Sequence, residues 1–297
     1  MADAPDHGPA VDPDGGSVRL RLDLGYDGTD FRGWAVQPGL RTVAGVVGDA
    51  LATVLRTDPD RVMRTLAVAG RTDAGVHAAA QVAHLDVGRD VLQRAGGVVG
   101  VTRRLRGMLA PDVRVAAVTE APPGFEARYS ALRRHYRYRV CDHPAGPYPL
   151  RRRDTLAHPL PLDPAGMTAA SERLLGLQDF AAFCRRRDGA TTIRTLLAFD
   201  WVREDDGTVV ASISADAFCH SMVRALVGAV LPVGDGRRAT GWPREVLRAG
   251  VRDPRVTVAA AHGLTLVGVD YPDAAGLAVR AAEARARRDG RPVSRRT

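Results

Sequence analysis

Ala69-Gly70-Arg71-Thr72-Asp73-Ala74-Gly75-Val76-His77 lies between two runs of strand character, Arg64 to Ala69 and Gln81 to Val87. The glycines at either end let the backbone turn tightly and approach a ligand closely. A single carboxylate, Asp73, with the cation of Arg71 nearby, is thereby presented on a loop carried by rigid strands. In isolation, an Asp in a Gly-bounded loop is a turn residue that hydrogen-bonds its own backbone. Its surroundings decide which reading holds.

Upstream, Val18, Leu20, Leu22 and Leu24 alternate with polar or charged residues, the period-two pattern of a half-buried strand. Thr42 is placed to cap a helix running to Leu55, with Val43, Val46, Val47, Ala50, Leu51 and Val54 at helical spacing. Downstream, the pattern predicts a helix over Val91 to Met108 and a strand over Val113 to Val118, and the turn-rich Ala121 to Gly124 ends this half. The grammar then repeats. Arg134 to Val140 reads as a strand, Asp163 to Leu175 as a helix, and Thr192 to Val202 and Val209 to Ala215 as strands. His220 to Val233 and Pro243 to Ala249 read as helices, and Leu264 to Val269 as a closing strand. Strands and helices in this order predict an α+β fold: two related ferredoxin-like halves, 17–123 and 124–272, sharing a largely antiparallel sheet. Residues 1–16, acidic and rich in Pro and Gly, are expected to be a disordered tail; they lack the basic start and apolar run of a secretory signal. Residues 273–297, rich in Ala and Arg, are expected to be a solvated tail.

Composition narrows the partners. A hydrophobic fraction of 45% and a charged fraction of 26% are ordinary for a globular chain, and no apolar run reaches the length of a membrane span. The formal charge is +8, and all 42 basic residues are Arg, with no Lys and no Asn in the chain. Much of that bias is a codon matter, but the excess charge favours an acidic partner, nucleic acid first. Cys141, Cys184 and Cys219 are too scattered for a disulfide framework or a paired zinc-ligand pattern, which fits a reducing cytoplasm.

The string from Ala69 to His77 resembles the signature of the tRNA pseudouridine synthase A family, matched without a substitution, in which the Asp is the catalytic nucleophile. Other segments resemble that family in the right order: Tyr26 to Thr29 with Phe31 to Trp34; Phe125 and Ala127 to Ala131 leading into Arg134-His135-Tyr136-Arg137-Tyr138; Asp179-Phe180 with Phe183; Ile193 to Thr195; Ala217 to Arg224; Gly263-Leu264; and Asp270 to Pro272. The chain departs from the pattern after Trp34, where Ala35 and Val36 stand in place of Gln-Arg, and at Ala44, where a Gln is common.

The resemblance implies isomerisation of uridine to pseudouridine in the anticodon stem-loop of tRNA, at positions 38 to 40, by a homodimer whose tRNA touches both subunits. The reaction breaks the bond from ribose C1′ to uracil N1 and rejoins C1′ to C5. It has no net redox change, so no cofactor and no metal are expected. Asp73 would serve at the sugar as carboxylates do on other glycosidic bonds; attack at C1′ and proton removal from C2′ both remain open. The resemblance pairs Arg224 with Asp73, which would keep the carboxylate ionised and oriented. Tyr136 would stack on the target uracil. Arg71 would fill the space left when the base is extruded, a step costing a few kcal/mol. Leu264 would also contact substrate. Arg133, Arg134, Arg137, Arg139, Arg151 to Arg153 and Arg185 to Arg187 form candidate phosphate contacts. Two other classes compete: a carboxylate-dependent metal nuclease, which would recruit His77, His84 and Asp86 near Asp73, and a non-catalytic RNA-binding protein in which Asp73 is dispensable.

Overall fold

The alternating apolar residues of the first predicted strand form β1 (Ser17–Tyr26), with Leu20 and Leu22 fully buried. The computed structural model describes residues 16–185 and 191–288; residues 1–15 of the expected acidic tail, with Arg186, Arg187 and the last nine residues, lie outside them. Thr42 caps α1 (Val43–Leu55) by accepting from the Gly45 amide, as its sequence position predicts.

The stretch from Arg64 to Ala69 differs from expectation. Asp58 caps a short helix, α2 (Pro59–Thr65), by accepting from the Asp60 amide, and Pro59 is preset for the first helical position. Only β2 (Ala67–Val68) remains extended. β3 (His77–Gly88) follows the Gly-bounded loop. The long helix expected over 91–108 is two, α3 (Arg89–Arg94) and α4 (Gly97–Met108), because Gly96 and Gly97 adopt φ of 77° and 65° and break the ladder between them. β4 (Val113–Glu120) completes this part.

The second part contains β5 (Arg133–Cys141), β6 (Leu156–Ala157), α5 (Pro164–Glu172), β7 (Gly176–Asp179), β8 (Ile193–Arg203) and β9 (Val209–Ala215). It continues through α6 (Met222–Gly234), α7 (Trp242–Ala249) and β10 (Leu264–Asp270). The segment expected to be a solvated tail instead carries α8 (Leu277–Arg288). Leu277 and Ala281 are buried, Leu277 packs in a small apolar cluster with Phe125 and Ala127, and Arg285 pairs with Glu126. Burial of one apolar stripe holds this helix despite its arginine-rich face.

All the named strands join one sheet in the order β4-β1-β3-β10-β5-β9-β8-β7, with β2 on β3 and β6 on β5. Taken separately, β1 to β4, and β5, β8, β9 and β10 with the short β6 and β7 as additions, each give the fourth-first-third-second strand order of a βαββαβ unit, so the α+β expectation with two ferredoxin-like halves and a mostly antiparallel sheet holds. The join is parallel: β10 pairs with β3 at Thr265–His77 and Leu266–Ala78, and with β5 antiparallel along its length. Further along the same β3 edge, β2 pairs at His84 and Ala83. The Gly70–Val76 loop therefore emerges where that edge passes from β2 to β10.

α6 is buried on most faces and sits close to the backbone of 257–259. Gly228 makes this approach possible, since a Cβ there would run into the Thr257 carbonyl. The main chains meet in the Ala259 amide donating to the Arg224 carbonyl at 3.0 Å.

His84 on β3 is buried, and its Nδ1 accepts from the Ala127 amide at 3.0 Å. Burial, with Arg19 nearby, pushes its pKa down to about 3, against the weaker opposing effect of Asp86. The folded protein thus holds His84 neutral while the unfolded chain protonates it near pH 6.5. Its contribution to stability is complete above that pH and is lost as pH falls from there toward about 3. Urea unfolding measured from pH 7 to pH 5 should show stability falling with a component of up to roughly 1.4 kcal/mol per pH unit from this residue. A His84→Gln chain should lose that component.

Candidate active site

Asp73 sits half-buried at the tip of the loop between β2 and β3. The loop is held from below and from the side. From below, the buried Tyr26 hydroxyl bonds the Thr72 hydroxyl at 2.8 Å, and Gln81 Nε2 donates to Tyr26 at 3.2 Å and to the Gly70 carbonyl at 2.8 Å. Burial pushes the Tyr26 phenol up to about 12, which keeps it a neutral donor and acceptor. From the side, the 28–34 turn braces the loop through the Trp34 amide donating to Thr72 O at 3.1 Å and the Gly75 amide donating to Phe31 O at 3.2 Å. Gly33 has φ 97°, and a Cβ there would lie 2.9 Å from Thr72 O, so the turn can press against the loop only as glycine.

The carboxylate is gripped from the C-terminal half. Ser221 Oγ donates to Oδ2 at 3.1 Å, Arg224 Nη1 stands 3.4 Å from the same oxygen, and His220 Nε2 is 3.3 Å from Oδ1. Arg224 is itself fixed by Nε donating to the Ala259 carbonyl at 2.7 Å. The helix expected to start at His220 starts at Met222, so His220 and Ser221 occupy the turn leading into α6.

Tyr136 is buried on β5 with its ring edge-on to Phe218, centroids 5.2 Å apart. Burial raises its phenol well above the ordinary value, with Tyr26 and Asp73 pushing the same way and Arg134 opposing. The hydroxyl therefore stays protonated at neutral pH. Arg71 is exposed beside the loop tip. Leu264, by contrast, is 4% exposed in the main core, paired across from Tyr138. The structure thus brings Asp73, Arg224 and Tyr136 together, with Arg71 at the rim and Leu264 behind.

The arginine cluster divides. Strand alternation puts Arg133, Arg137 and Arg139 on the face of β5 opposite Tyr136. Arg139 is committed to Glu204 at 2.8 Å and Asp206 at 3.1 Å, Arg133 to Asp270 at 3.1 Å, and Arg153 to Asp27 at 3.1 Å. Arg134 is no phosphate contact. It is buried, and its guanidinium donates to three carbonyls: Ala69 at 2.8 Å, Arg128 at 2.7 Å and Asp216 at 2.7 Å. It thereby ties the root of the Asp73 loop to the root of the segment that grips Asp73.

The cysteine expectation is also corrected. Cys184 and Cys219 form a disulfide, with Cα atoms 5.7 Å apart, and Cys141 is free and buried. A separation of 35 residues carries no spacing signal, so only the fold reveals the pair. The histidines that a metal nuclease would recruit turn elsewhere: His77 accepts from the Gly28 amide and meets the Arg153 carbonyl, and His84 faces Ala127. No helix among the described residues is long and apolar enough to cross a membrane.

A family model described as tRNA pseudouridine synthase matches residues 170–272. Across nearly the whole chain, a tRNA pseudouridine synthase A from Frankia casuarinae is 60% identical over 271 residues, covering 91% of this chain and 96% of the relative. The chain belongs to the tRNA pseudouridine synthase A family. Members from Streptomyces griseus, 55% identical over 271 residues, and Mycobacterium leprae, 53% identical over 273, cover 91% and 89% of this chain and 94% and 93% of their own lengths.

Reading the sequence for this family missed three things about the site: the Ser221 and His220 contacts to Asp73, the Tyr26–Gln81 support, and the buried Arg134. Ser221 stands immediately before an apolar helical run, where a serine reads as an ordinary cap. Nothing local discloses a partner 148 residues away. The support makes an expectation. Tyr26→Phe strands the buried Thr72 hydroxyl and one Gln81 donor, so urea unfolding should show a loss of about 1–2 kcal/mol. Amide exchange at 70–76 should accelerate more than in the sheet.

Proposed function

We propose that this protein isomerises uridine to pseudouridine in the anticodon stem-loop of tRNA, at positions 38 to 40, with Asp73 as the nucleophile. One observation carries the reading. The carboxylate of the family signature, on a loop of the N-terminal half, meets Arg224, Ser221 and His220 from the C-terminal half. A carboxylate braced by donors yet half-exposed is built to react with something that reaches it from solvent.

Asp73 attacks C1′ of the extruded uridine as the bond to N1 breaks. The uracil, held against Tyr136, turns to present C5, which bonds to C1′ as the carboxylate leaves; the C5 proton is then lost to solvent and N1, which kept the electron pair of the broken bond, takes one up. Arg224 orients the carboxylate, and Tyr136 supplies a flat apolar wall with a protonated hydroxyl. Arg71, exposed at the loop, enters the stack and contacts phosphate. Leu264 supports the pocket from behind the Tyr138 register rather than at its surface. Atoms and electrons balance between the substrate and solvent protons, so the reaction requires no redox cofactor and no co-substrate. The resemblance further implies a homodimer acting in the cytoplasm, with one tRNA spanning both subunits.

The test is release of tritium from uridine C5 in an unmodified tRNA transcript with uridines at 38 to 40. Wild-type protein should release it without added metal or nucleotide, while Asp73→Ala should lose at least about 1,000-fold in rate yet retain tRNA binding. Equal release by the two would remove Asp73 as nucleophile. Binding without release by either would support the RNA-binding alternative. Uridine deuterated at C2′ should react at the normal rate; a primary isotope effect would replace attack at C1′ by proton removal at C2′.

A further inference from the structure

From the geometry around Asp73 we infer that Ser221 is a positioning residue for the reaction, holding one carboxylate oxygen in place through its hydroxyl; this rests on the function proposed above. Two independent observations meet at this residue. The first is conformational: Ser221 has φ 63° and ψ 8°, and with Arg56 it is one of two non-glycine residues at positive φ among the described residues. Arg56 is a helix C-cap, a place where left-handed backbone is common. Ser221 precedes the first turn of a helix, where a serine ordinarily adopts extended backbone and caps its own helix with its oxygen. Here it makes no such cap. A left-handed serine is less favourable than a left-handed glycine at the same place.

The second observation is what the hydroxyl does instead. It donates to Asp73 Oδ2 at 3.1 Å, a closer approach than Arg224 makes to the same oxygen at 3.4 Å. A single donor leaves a carboxylate able to swivel about the Cβ–Cγ bond. A hydroxyl donor is directional. Two donors reaching one oxygen from different backbone positions, one from the turn and one from the helix, remove that swivel. Arg224 is anchored in turn by the Ala259 carbonyl, so the direction imposed on Asp73 is referred to the fold. The left-handed backbone at Ser221 is what aims the hydroxyl at the Asp73 loop rather than along its own helix.

Positioning can be separated from structure because glycine suits the backbone better than serine does. Ser221→Gly removes the donor and relieves the conformation; Ser221→Ala removes the donor and keeps the strain; Ser221→Asn restores a donor on a residue that tolerates left-handed backbone. Steady-state kinetics on the same unmodified tRNA transcript, with tritium release as readout, should show kcat lower by roughly 10- to 100-fold in Gly and Ala, with KM within about twofold. Asn should recover kcat to within about threefold. The melting temperature of Ser221→Gly should equal or exceed that of wild type, so that activity falls while stability does not.

Wild-type kcat in Ser221→Gly would overturn the inference, and so would a kcat loss in Gly, Ala and Asn alike that tracks falling melting temperature. Asp73→Ala in the same series keeps the two readings apart. If that variant turns over, Asp73 is not the nucleophile and the reading on which the inference rests fails whatever Ser221 does; if it is inactive and Ser221→Gly is normal, only the role of Ser221 fails.

Discussion

Two parallel residue pairs, Thr265 with His77 and Leu266 with Ala78, fix how the halves of this molecule face each other. His77 is the residue at which the Asp73 loop becomes β3, so any shift in that register would carry the loop with it. On its other edge β10 is paired with β5, the strand that bears Tyr136. One strand thus sets the distance between the carboxylate and the aromatic wall, with hydrogen bonds on both edges resisting adjustment. Contact of Asp73 with the turn before α6 follows from that frame, because α6 is locked to the chain leading into β10 through Arg224 and Ala259.

Arg134 complements the strand with a polar tie. A guanidinium buried against carbonyls, with no carboxylate partner among the described residues, is costly to desolvate and tolerable only when its donors are well placed. Its partners Ala69 and Asp216 flank the two segments that meet at Asp73. The site is accordingly built between halves of the fold, with each half contributing groups that have little chemistry alone. The Tyr26–Thr72–Gln81 bonds then stiffen the loop from inside the N-terminal half, so the carboxylate is referenced to both.

Much of this was legible in the chain. The alternation of Val18 to Leu24, the Thr42 cap and the apolar periods of α1 and α6 are local signals, and local physics kept them. The α+β class followed from their order. What failed was punctuation read too lightly: Asp58-Pro59 begins a helix that runs through Thr65 into the stretch expected as a strand, and the pair Gly96-Gly97 cuts one helix into two. α8 was missed because its arginines dominate its composition, while a few buried small and apolar residues decide its fate. At the site, the signature string pointed to Asp73, and family resemblance pointed to Arg224 and Tyr136, which lie near it in the fold. Ser221, the Cys184–Cys219 pair and the buried role of Arg134 depend on contacts far apart in sequence, and no local period encodes those. Leu264 belonged to a motif by position, but its side chain joined the core.

The central place of β10 also has a consequence for how the protein comes into being. The strand at the middle of the sheet is drawn from residues 264–270, near the far end of the chain, so it leaves the ribosome after all its neighbours. Until it arrives, β3 and β5 each present an unpaired edge, the kind of surface on which chains associate wrongly. Sealing both edges and bringing the Asp73 loop beside β5 therefore depend on one late strand, and a product cut short before Leu264 is left with two open edges and no such site.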